Sequence, residues 1–339
     1  MSFLPFLHRV ANRENLLPSD AQKAMELILS GDVTTAQIAA FLVALRMKGE
    51  TADELLGFAR AMRGRSTKVS PNLNGEPLLD TCGTGGDGQS TFNISTVSAL
   101  VVAGAGVKVA KHGNRSLSSL CGSADIFEGL GVKIGITPEQ MAQSIREVGI
   151  GFLYAPAMHP AMKHAQAARL ELKMRTAFNL LGPLTNPAGA TAQLVGAPSP
   201  EAAELMATVL ASLGLQRGFV VHGADHLDEI STTGNTIVLE IRSGAIAQHT
   251  LTPKDFGLKR AKLSELKGGS CAANVAIARS ILAGEEGPKR DIVLANASAA
   301  MVAAGKAADF LAGVQLAAES IDSGNARAKV EALVEFSHR

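Results

Sequence analysis

Leu78-Leu79-Asp80-Thr81-Cys82-Gly83-Thr84-Gly85-Gly86-Asp87-Gly88, continued by Asn93 to Ala103 and by Val107-Lys108-Val109-Ala110-Lys111-His112-Gly113-Asn114-Arg115-Ser116, decides the fold. It reads as a short strand entering a glycine loop, then a helix, then a second strand that delivers a polar, basic loop. That alternation marks an α/β layer, with a mostly parallel central sheet flanked by helices. Eight glycines fall among the 44 residues from Asp80 to Ser123. Glycine adds nothing to packing and costs backbone entropy when ordered, so a core does not need this composition. A polyanion does, because bare backbone N–H groups and a helix N-terminus attract it.

Towards the N-terminus, residues 16 to about 66 read as three short helices. Ser19 can cap the first, and Thr34 with Gln37 and Thr51 with Glu54 form capping-box patterns before the next two. A polar linker, Ser70 to Pro77, separates this helical unit from the strand at Leu78. Towards the C-terminus, Thr137-Pro138-Glu139-Gln140 and Ser199-Pro200-Glu201 start helices. Gly218 to His222 is an apolar strand, and Thr236 to Ile241 with Ala245 to Leu251 form a hairpin through Ser243-Gly244. From about Asn274 onward the chain is helical and rich in alanine, with an extended loop near Glu285 to Lys289. In the middle, helical spacing groups His159, Lys163 and Gln166 on one face, with Arg169 and Lys173 further along it.

A chain of 339 residues suffices for two domains, or for one large α/β unit with an appended piece. Hydrophobic residues make up 46%, yet there is one Tyr and no Trp, so the interior must be aliphatic. The 32 basic and 31 acidic side chains leave a formal charge of +1, which gives no net field for nucleic acid or an anionic membrane. Any anion site must therefore be local. Cys82, Cys121 and Cys271 are odd in number and lack C-x-x-C or Cys/His spacing, which argues for a reducing compartment and against structural zinc. The segment Met1 to Asn15 carries His8, Arg9, Arg13 and Glu14 and does not resemble a signal peptide. Ile94 to Val107 is too short and too polar to span a bilayer. A cytoplasmic protein is expected.

Three groups carry the chemistry. Gly83, Gly85 and Gly86 let the backbone turn tightly, and Asn93, Ser95 and Thr96 open the following helix, where they can donate to phosphate oxygens. A Ser or Thr oxygen there can also ligate Mg²⁺. The spacing is neither G-x-x-x-x-G-K-[ST] nor G-x-G-x-x-G with a later acid, so a triphosphatase or dinucleotide site is disfavoured. Lys111, His112, Asn114 and Arg115 arrive together at the end of a strand as a cationic wall, with Ser118 and Ser119 at a second helix start. Asp228-Glu229 are hard oxygen ligands of the kind Mg²⁺ accepts, although an adjacent acidic pair taken alone is also an ordinary solvated turn. Together these groups imply a phosphate-rich substrate, a metal, and a reaction in which negative charge departs.

Assembled, the motifs resemble the anthranilate phosphoribosyltransferase family. The match rests on Asp80 to Gly88, Thr91-Phe92-Asn93-Ile94-Ser95-Thr96, Lys111 to Ser116, Gly122-Ser123-Ala124-Asp125, Arg175 to Pro187 and Asp228-Glu229. It implies transfer of 5-phosphoribosyl from phosphoribosyl pyrophosphate to the amine of anthranilate, in a homodimer of the nucleoside phosphorylase class II type. It also implies an N-terminal helical domain, residues 1–72, joined by a helical insertion near 160–190, beside an α/β domain of residues 73–339. By that resemblance Gly83, Gly86, Asp87, Thr91, Asn93, Ile94, Ser95, Thr96, Lys111, His112, Gly113, Asn114, Arg115, Ser116, Leu117, Ser118, Ser119 and Ser123 hold phosphoribosyl pyrophosphate. Ser95, Asp228 and Glu229 hold two Mg²⁺. Gly83, Asn114 and Arg169 contact anthranilate, Arg169 through the substrate carboxylate, while His112 and Pro183 line its path. No residue acts as a covalent nucleophile or strong base; catalysis is electrostatic, from Lys111 and the metal ligands. Two rivals share the fold. A pyrimidine nucleoside phosphorylase would leave Asp228-Glu229 without a metal role, and a nucleic-acid-binding relative would need an extended basic surface.

Overall fold

The computed structural model describes residues 2–116 and 120–339. Four helices open the chain: α1 (Leu4–Ala11), α2 (Pro18–Ser30), α3 (Thr35–Lys48) and α4 (Ala52–Arg65). The capping boxes at Thr34 and Thr51 both form, each hydroxyl accepting from the N3 backbone N–H. Helix α1 lies outside the anticipated three, and its start carries no side-chain cap to announce it. Gly57 on α4 admits α2, because a Cβ there would overlap the Pro18 carbonyl.

The second capping box does more than start a helix. Glu54 is fully buried and accepts from Leu16 N (3.0 Å), Thr51 N (3.0 Å) and Lys48 Nζ (2.9 Å). One carboxylate thereby ties the start of α4 to the end of α3 and to the segment before α2. Removing one partner of a buried pair strands the other, so Glu54→Ala is expected to cost about 3 kcal/mol. Urea unfolding measures this, and a loss below about 1 kcal/mol, the level of an exposed pair, would remove Glu54 from that role.

The remaining elements follow in order: β1 (Leu78–Asp80), α5 (Ile94–Gly104), β2 (Lys108–Gly113), α6 (Ser123–Gly129), α7 (Pro138–Glu147), β3 (Ile150–Tyr154), α8 (Ala155–Met158), α9 (Lys163–Leu172) and α10 (Ala177–Leu184). Then come β4 (Ala192–Gly196), α11 (Pro200–Ser212), β5 (Arg217–Gly223), β6 (Thr236–Arg242), β7 (Ala245–Leu251), α12 (Cys271–Leu282), α13 (Pro288–Ala303), α14 (Phe310–Asp322) and α15 (Asn325–Ser337). One sheet runs β3-β2-β1-β4-β5-β6-β7, with the first five strands parallel and the last two joined antiparallel. The connections leave β1 first towards β2 and later return beside it as β4. That reversal opens a crevice beyond the carboxyl ends of β1 and β4, where open α/β sheets bind ligands.

Helices cover both faces. On one, α5, α13, α14 and α15 share a large aliphatic core with the sheet, and α13 is buried throughout from Ile292 to Ala303. Its alanines and serines let neighbours approach closely, as where Gly313 of α14 sits against Ser298. On the other face, α9, α10 and α11 merge with the N-terminal helices into a second core that includes Leu42, Phe58, Ala168, Phe178 and Leu181.

Four local expectations change. Ser19 lies inside α2, which Pro18 opens after Leu17 at the cap position, so it does not cap the helix. Pro288 starts α13, so the loop anticipated to Lys289 ends earlier. His159 does not share a helical face with Lys163, because Pro160 follows it and its backbone is driven out of the helical region (φ −125°, ψ 61°). Lys173 lies past the end of α9 in a left-handed conformation. Among the described residues no helix is long and apolar enough to cross a membrane.

Candidate functional site

The crevice is built by segments far apart in sequence. The glycine loop leaves β1 at Asp80, and Gly85, Gly86 and Gly88 all take positive φ (66°, 69° and 76°), conformations that favour glycine. Thr84 N donates to the Gly196 carbonyl at the end of β4 (3.1 Å), and Gly85 N donates to Asp228 Oδ2 (2.7 Å). Asp228 can reach the loop because Gly196 lacks a side chain; a Cβ there would overlap the Asp228 carbonyl. Next to it, Glu229 Oε1 accepts from Ser95 N (3.0 Å) in the first turn of α5. The acidic pair therefore spans the glycine loop and a helix N-terminus, which is where phosphate groups would be held.

The turn carrying the pair is braced at both ends. Asp225 accepts from the hydroxyls of Ser231 and Thr233, and Asn296 of α13 exchanges hydrogen bonds with Ile230 N (2.9 Å) and Ile230 O (3.0 Å). Around the loop, Asp87 Oδ1 accepts from Gln89 N (2.9 Å), Thr91 bridges to Lys267, and Ile94 and Thr96 are buried at the start of α5. Asn93 donates to the Cys121 carbonyl (3.0 Å) and accepts from Asn274 (3.0 Å), which links the helix start to the chain entering α6.

The anticipated single cationic wall divides into three. Strand β2 extends to Gly113, so Lys111 and His112 point to opposite faces of the sheet. Buried Lys111 turns towards the glycine loop and donates from Nζ to Thr81 O (2.7 Å). His112 turns the other way, pairing Nδ1 with Gly182 O (3.2 Å) beside His159, ring centroids 5.2 Å apart. Arg115 reaches outward to Asp125 (2.6 Å) and Glu128 (2.8 Å) of α6. Asn114 O accepts from Ser123 Oγ (3.3 Å) and Ala124 N (3.2 Å), which folds the loop of Gly113 and Ser116 back onto α6. Leu117, Ser118 and Ser119 lie outside the described residues, and the helix that follows them begins at Ser123.

A second group of side chains is carried by β2, α9, α10 and His159. Burial, and then the neighbouring His159, depresses His112 to about 3, while burial and then the Lys68 charge depress His159 to about 4, so both are neutral near pH 7. The Nε2 atoms of both are buried and make no hydrogen bond. Arg169 of α9 stacks over the Phe178 ring (5.2 Å to its centroid), and burial lowers its pKa. No acidic residue among the described residues pairs with it. A half-buried guanidinium without a carboxylate, stacked on an aromatic ring, suits an aromatic acid.

Electrostatics fit a divalent cation at the acidic pair. Burial raises Asp228 and Glu229 above the ordinary carboxylate range, with Asp87 pressing on Asp228 and Asp228 on Glu229. Lys111 and Arg175 oppose this only in part. A cation sharing these oxygens and substrate phosphates would relieve the repulsion.

Two roles were missed in the sequence. Arg175 donates to the carbonyls of Gly86 (2.7 Å) and Gly85 (3.0 Å), clamping the glycine loop from the segment between α9 and α10. Asp80, fully buried and raised to about 6 chiefly by burial, accepts from Asn186 (2.7 Å) and His112 N (3.1 Å), which locks the ends of β1 and β2 together. Both residues sit in quoted motifs; for Asp80 an acid ending an apolar strand was the available signal, whereas Arg175, between two helices, had none.

Comparison with known proteins agrees with this geometry. The family model described as glycosyl transferase family, a/b domain, matches residues 75–327, and its helical bundle companion matches residues 4–66. The chain is similar to the anthranilate phosphoribosyltransferase of Solibacter usitatus, with 63% identity over 337 residues and 99% of each chain covered. Among solved structures, it resembles the enzyme of that name from Thermus thermophilus (TM-score 0.93, 45% identity, 98% of this chain and 99% of the other). It also resembles the Saccharomyces cerevisiae enzyme in complex with phosphoribosyl pyrophosphate and Mg (TM-score 0.90, 29% identity, 99% of this chain and 98% of the other).

Proposed function

The chain belongs to the anthranilate phosphoribosyltransferase family, and from that membership we propose how its residues divide the family's work. The enzyme transfers the 5-phosphoribosyl group of phosphoribosyl pyrophosphate to the amine of anthranilate and releases pyrophosphate, a step of tryptophan biosynthesis. The observation that carries the residue assignment is the joining of three distant segments: Gly85 N on Asp228 and Ser95 N on Glu229, beside Lys111.

Breaking the bond at the ribose anomeric carbon builds positive charge on the sugar and negative charge on the departing pyrophosphate. The glycine loop, the N-terminus of α5 and Lys111 face that anion with donors fixed before the reaction, which lowers the barrier without reorganisation. Asp228, Glu229 and Ser95 would hold Mg²⁺, two ions in our reading, and the metal supplies charge neutralisation to the leaving group. Gly83, Gly86, Asp87, Thr91, Asn93, Ile94, Thr96, Lys111, the stretch from Gly113 to Ser119 and Ser123 complete the phosphoribosyl pyrophosphate site, while His112 is turned to the other face of the sheet. Arg169 holds the anthranilate carboxylate, with Gly83 and Asn114 at the boundary between the two substrates. An aniline-type amine is neutral at pH 7 and needs no strong base, which is compatible with neutral His112 and His159. The decisive test is a loss of anthranilate fluorescence that requires phosphoribosyl pyrophosphate and Mg²⁺ together. No loss with all three present would sink the assignment.

The division proposed is residues 1–72, with the insertion near 160–190, against residues 73–339; the packing of α9 and α10 among the N-terminal helices supports it. We also propose a cytoplasmic homodimer. Its support is apolar surface on helices packed side by side: Leu4 of α1, Met47 of α3 and Leu170 of α9 are 42%, 68% and 54% exposed. Light scattering is expected to give twice the chain mass, and Met47→Lys is expected to shift it towards monomer. An unchanged mass for both proteins at the monomer value would end this reading.

A further inference from the structure

Cys121 and Cys271 stand 150 residues apart, and spacing alone gave no reason to associate them. The fold brings them together: Cys121 enters α6, Cys271 is the first residue of α12, and the two helices pack closely, a Cβ on Gly129 of α6 overlapping Val275 of α12. The two Sγ atoms and a carboxylate oxygen of Asp125 all lie within 4.8 Å of one another. They are thiols, with no disulfide between them.

We propose that Cys121, Cys271 and Asp125 form a binding site for a soft divalent cation, Zn²⁺ or its analogue Cd²⁺, where the starts of α6 and α12 meet. Metal–sulfur and metal–oxygen bonds of about 2.3 and 2.1 Å place tetrahedral ligands roughly 3.5 Å apart, so only a small contraction closes the set. Two sulfurs select against Mg²⁺, which separates this site from the oxygen-rich one at Asp228 and Glu229. Three protein ligands leave a fourth position for water. Cys271 and Asp125 are partly exposed, and Leu120 beside them is 77% exposed, so an ion has a route in.

The surrounding contacts orient the ligands. Asp125 Oδ2 accepts from Gly122 N (2.8 Å) and Oδ1 from Arg115 (2.6 Å), while the Cys271 thiol donates to Leu120 O (3.3 Å). An ion drawing on Asp125 removes one of the two acids that hold Arg115 in place, and Arg115 belongs to the stretch assigned to phosphoribosyl pyrophosphate, so the donor loses its fixed position. Zn²⁺ at this site therefore weakens substrate binding; that consequence rests on the functional reading above, whereas the binding itself does not.

The test uses the reduced full-length chain in millimolar Mg²⁺, without substrates, titrated with Cd²⁺. A thiolate-to-cadmium charge-transfer band should saturate at one equivalent with the intensity of two thiolates. Cys271→Ser and, separately, Cys121→Ser should each weaken Cd²⁺ binding by at least roughly tenfold. Cys82 remains in both variants, so a band of unchanged amplitude and affinity in them would overturn the site, as would no band in the parent chain. In turnover assays Cys271→Ser should keep the parent rate in Mg²⁺ alone and require at least roughly tenfold more Zn²⁺ for inhibition. Equal Zn²⁺ inhibition of both proteins would overturn the coupling to substrate. A chain that shows the two-thiolate band but no turnover would count against the functional reading and leave the metal site standing.

Discussion

Replacing Asp228 and Glu229 together by Ala is expected to lower kcat by roughly a thousandfold and to abolish the response of activity to millimolar Mg²⁺. The size follows from what the two carboxylates hold. Asp228 secures Gly85 N and faces Thr84, while Glu229 secures Ser95 N, so the pair sets both the metal and the geometry of the anion cradle. The single variants separate these roles. Asp228→Asn keeps an oxygen for Gly85 N but loses a charge, so a large fall in Mg²⁺ response with little change in stability marks a ligand. Burial raises both carboxylates in the free protein, so removing them should not destabilise it; a thermal midpoint at or above that of the parent is expected. An activity that still rises with Mg²⁺ as it does in the parent would refute their role as ligands.

Arg169→Ala is expected to raise the KM for anthranilate roughly 50-fold, with a much smaller change for phosphoribosyl pyrophosphate. The guanidinium is already half desolvated against Phe178 and pairs with no acid among the described residues, so a substrate carboxylate meets a donor whose burial cost was met on folding. Arg169→Lys should recover little, since a point charge cannot reproduce the planar fork or the stacking. Arg175→Ala offers the contrast. Its guanidinium ends on the Gly85 and Gly86 carbonyls, so its loss should raise the KM for phosphoribosyl pyrophosphate instead. Steady-state kinetics with each substrate varied in turn distinguishes the two, and the reverse pattern would exchange their sites.

Much of this was legible because local chemistry is written locally. Thr34 with Gln37, Thr51 with Glu54 and Thr137 with Gln140 announce helices whose caps form as anticipated. The glycine loop, the helix after it and the hairpin at Ser243-Gly244 follow from turn chemistry. Strands β3 and β4 were passed over: five-residue, almost wholly buried runs have no alternation to distinguish them from a helix. The cationic wall failed for a related reason, since β2 runs three residues further, to Gly113, and sends Lys111 and His112 to opposite faces. Contacts such as Ser95 N to Glu229, 134 positions apart, have no local signature at all. Family motifs conveyed that those residues belong together, but not which atoms meet.

Gly196 touches no charge and lines no recess by a side chain, yet it constrains how the molecule can assemble. Strand β4 runs Ala192-Gln193-Leu194-Val195-Gly196, and Ala197 follows. A slip of β4 by a single residue against its neighbours would set Val195 or Ala197 where the Asp228 carbonyl must pass, and the acidic turn could not close. Only the correctly registered sheet accepts the turn. Closure of the acidic turn thus doubles as proofreading of the strand alignment beneath it, and a misaligned chain lacks the reaction centre altogether.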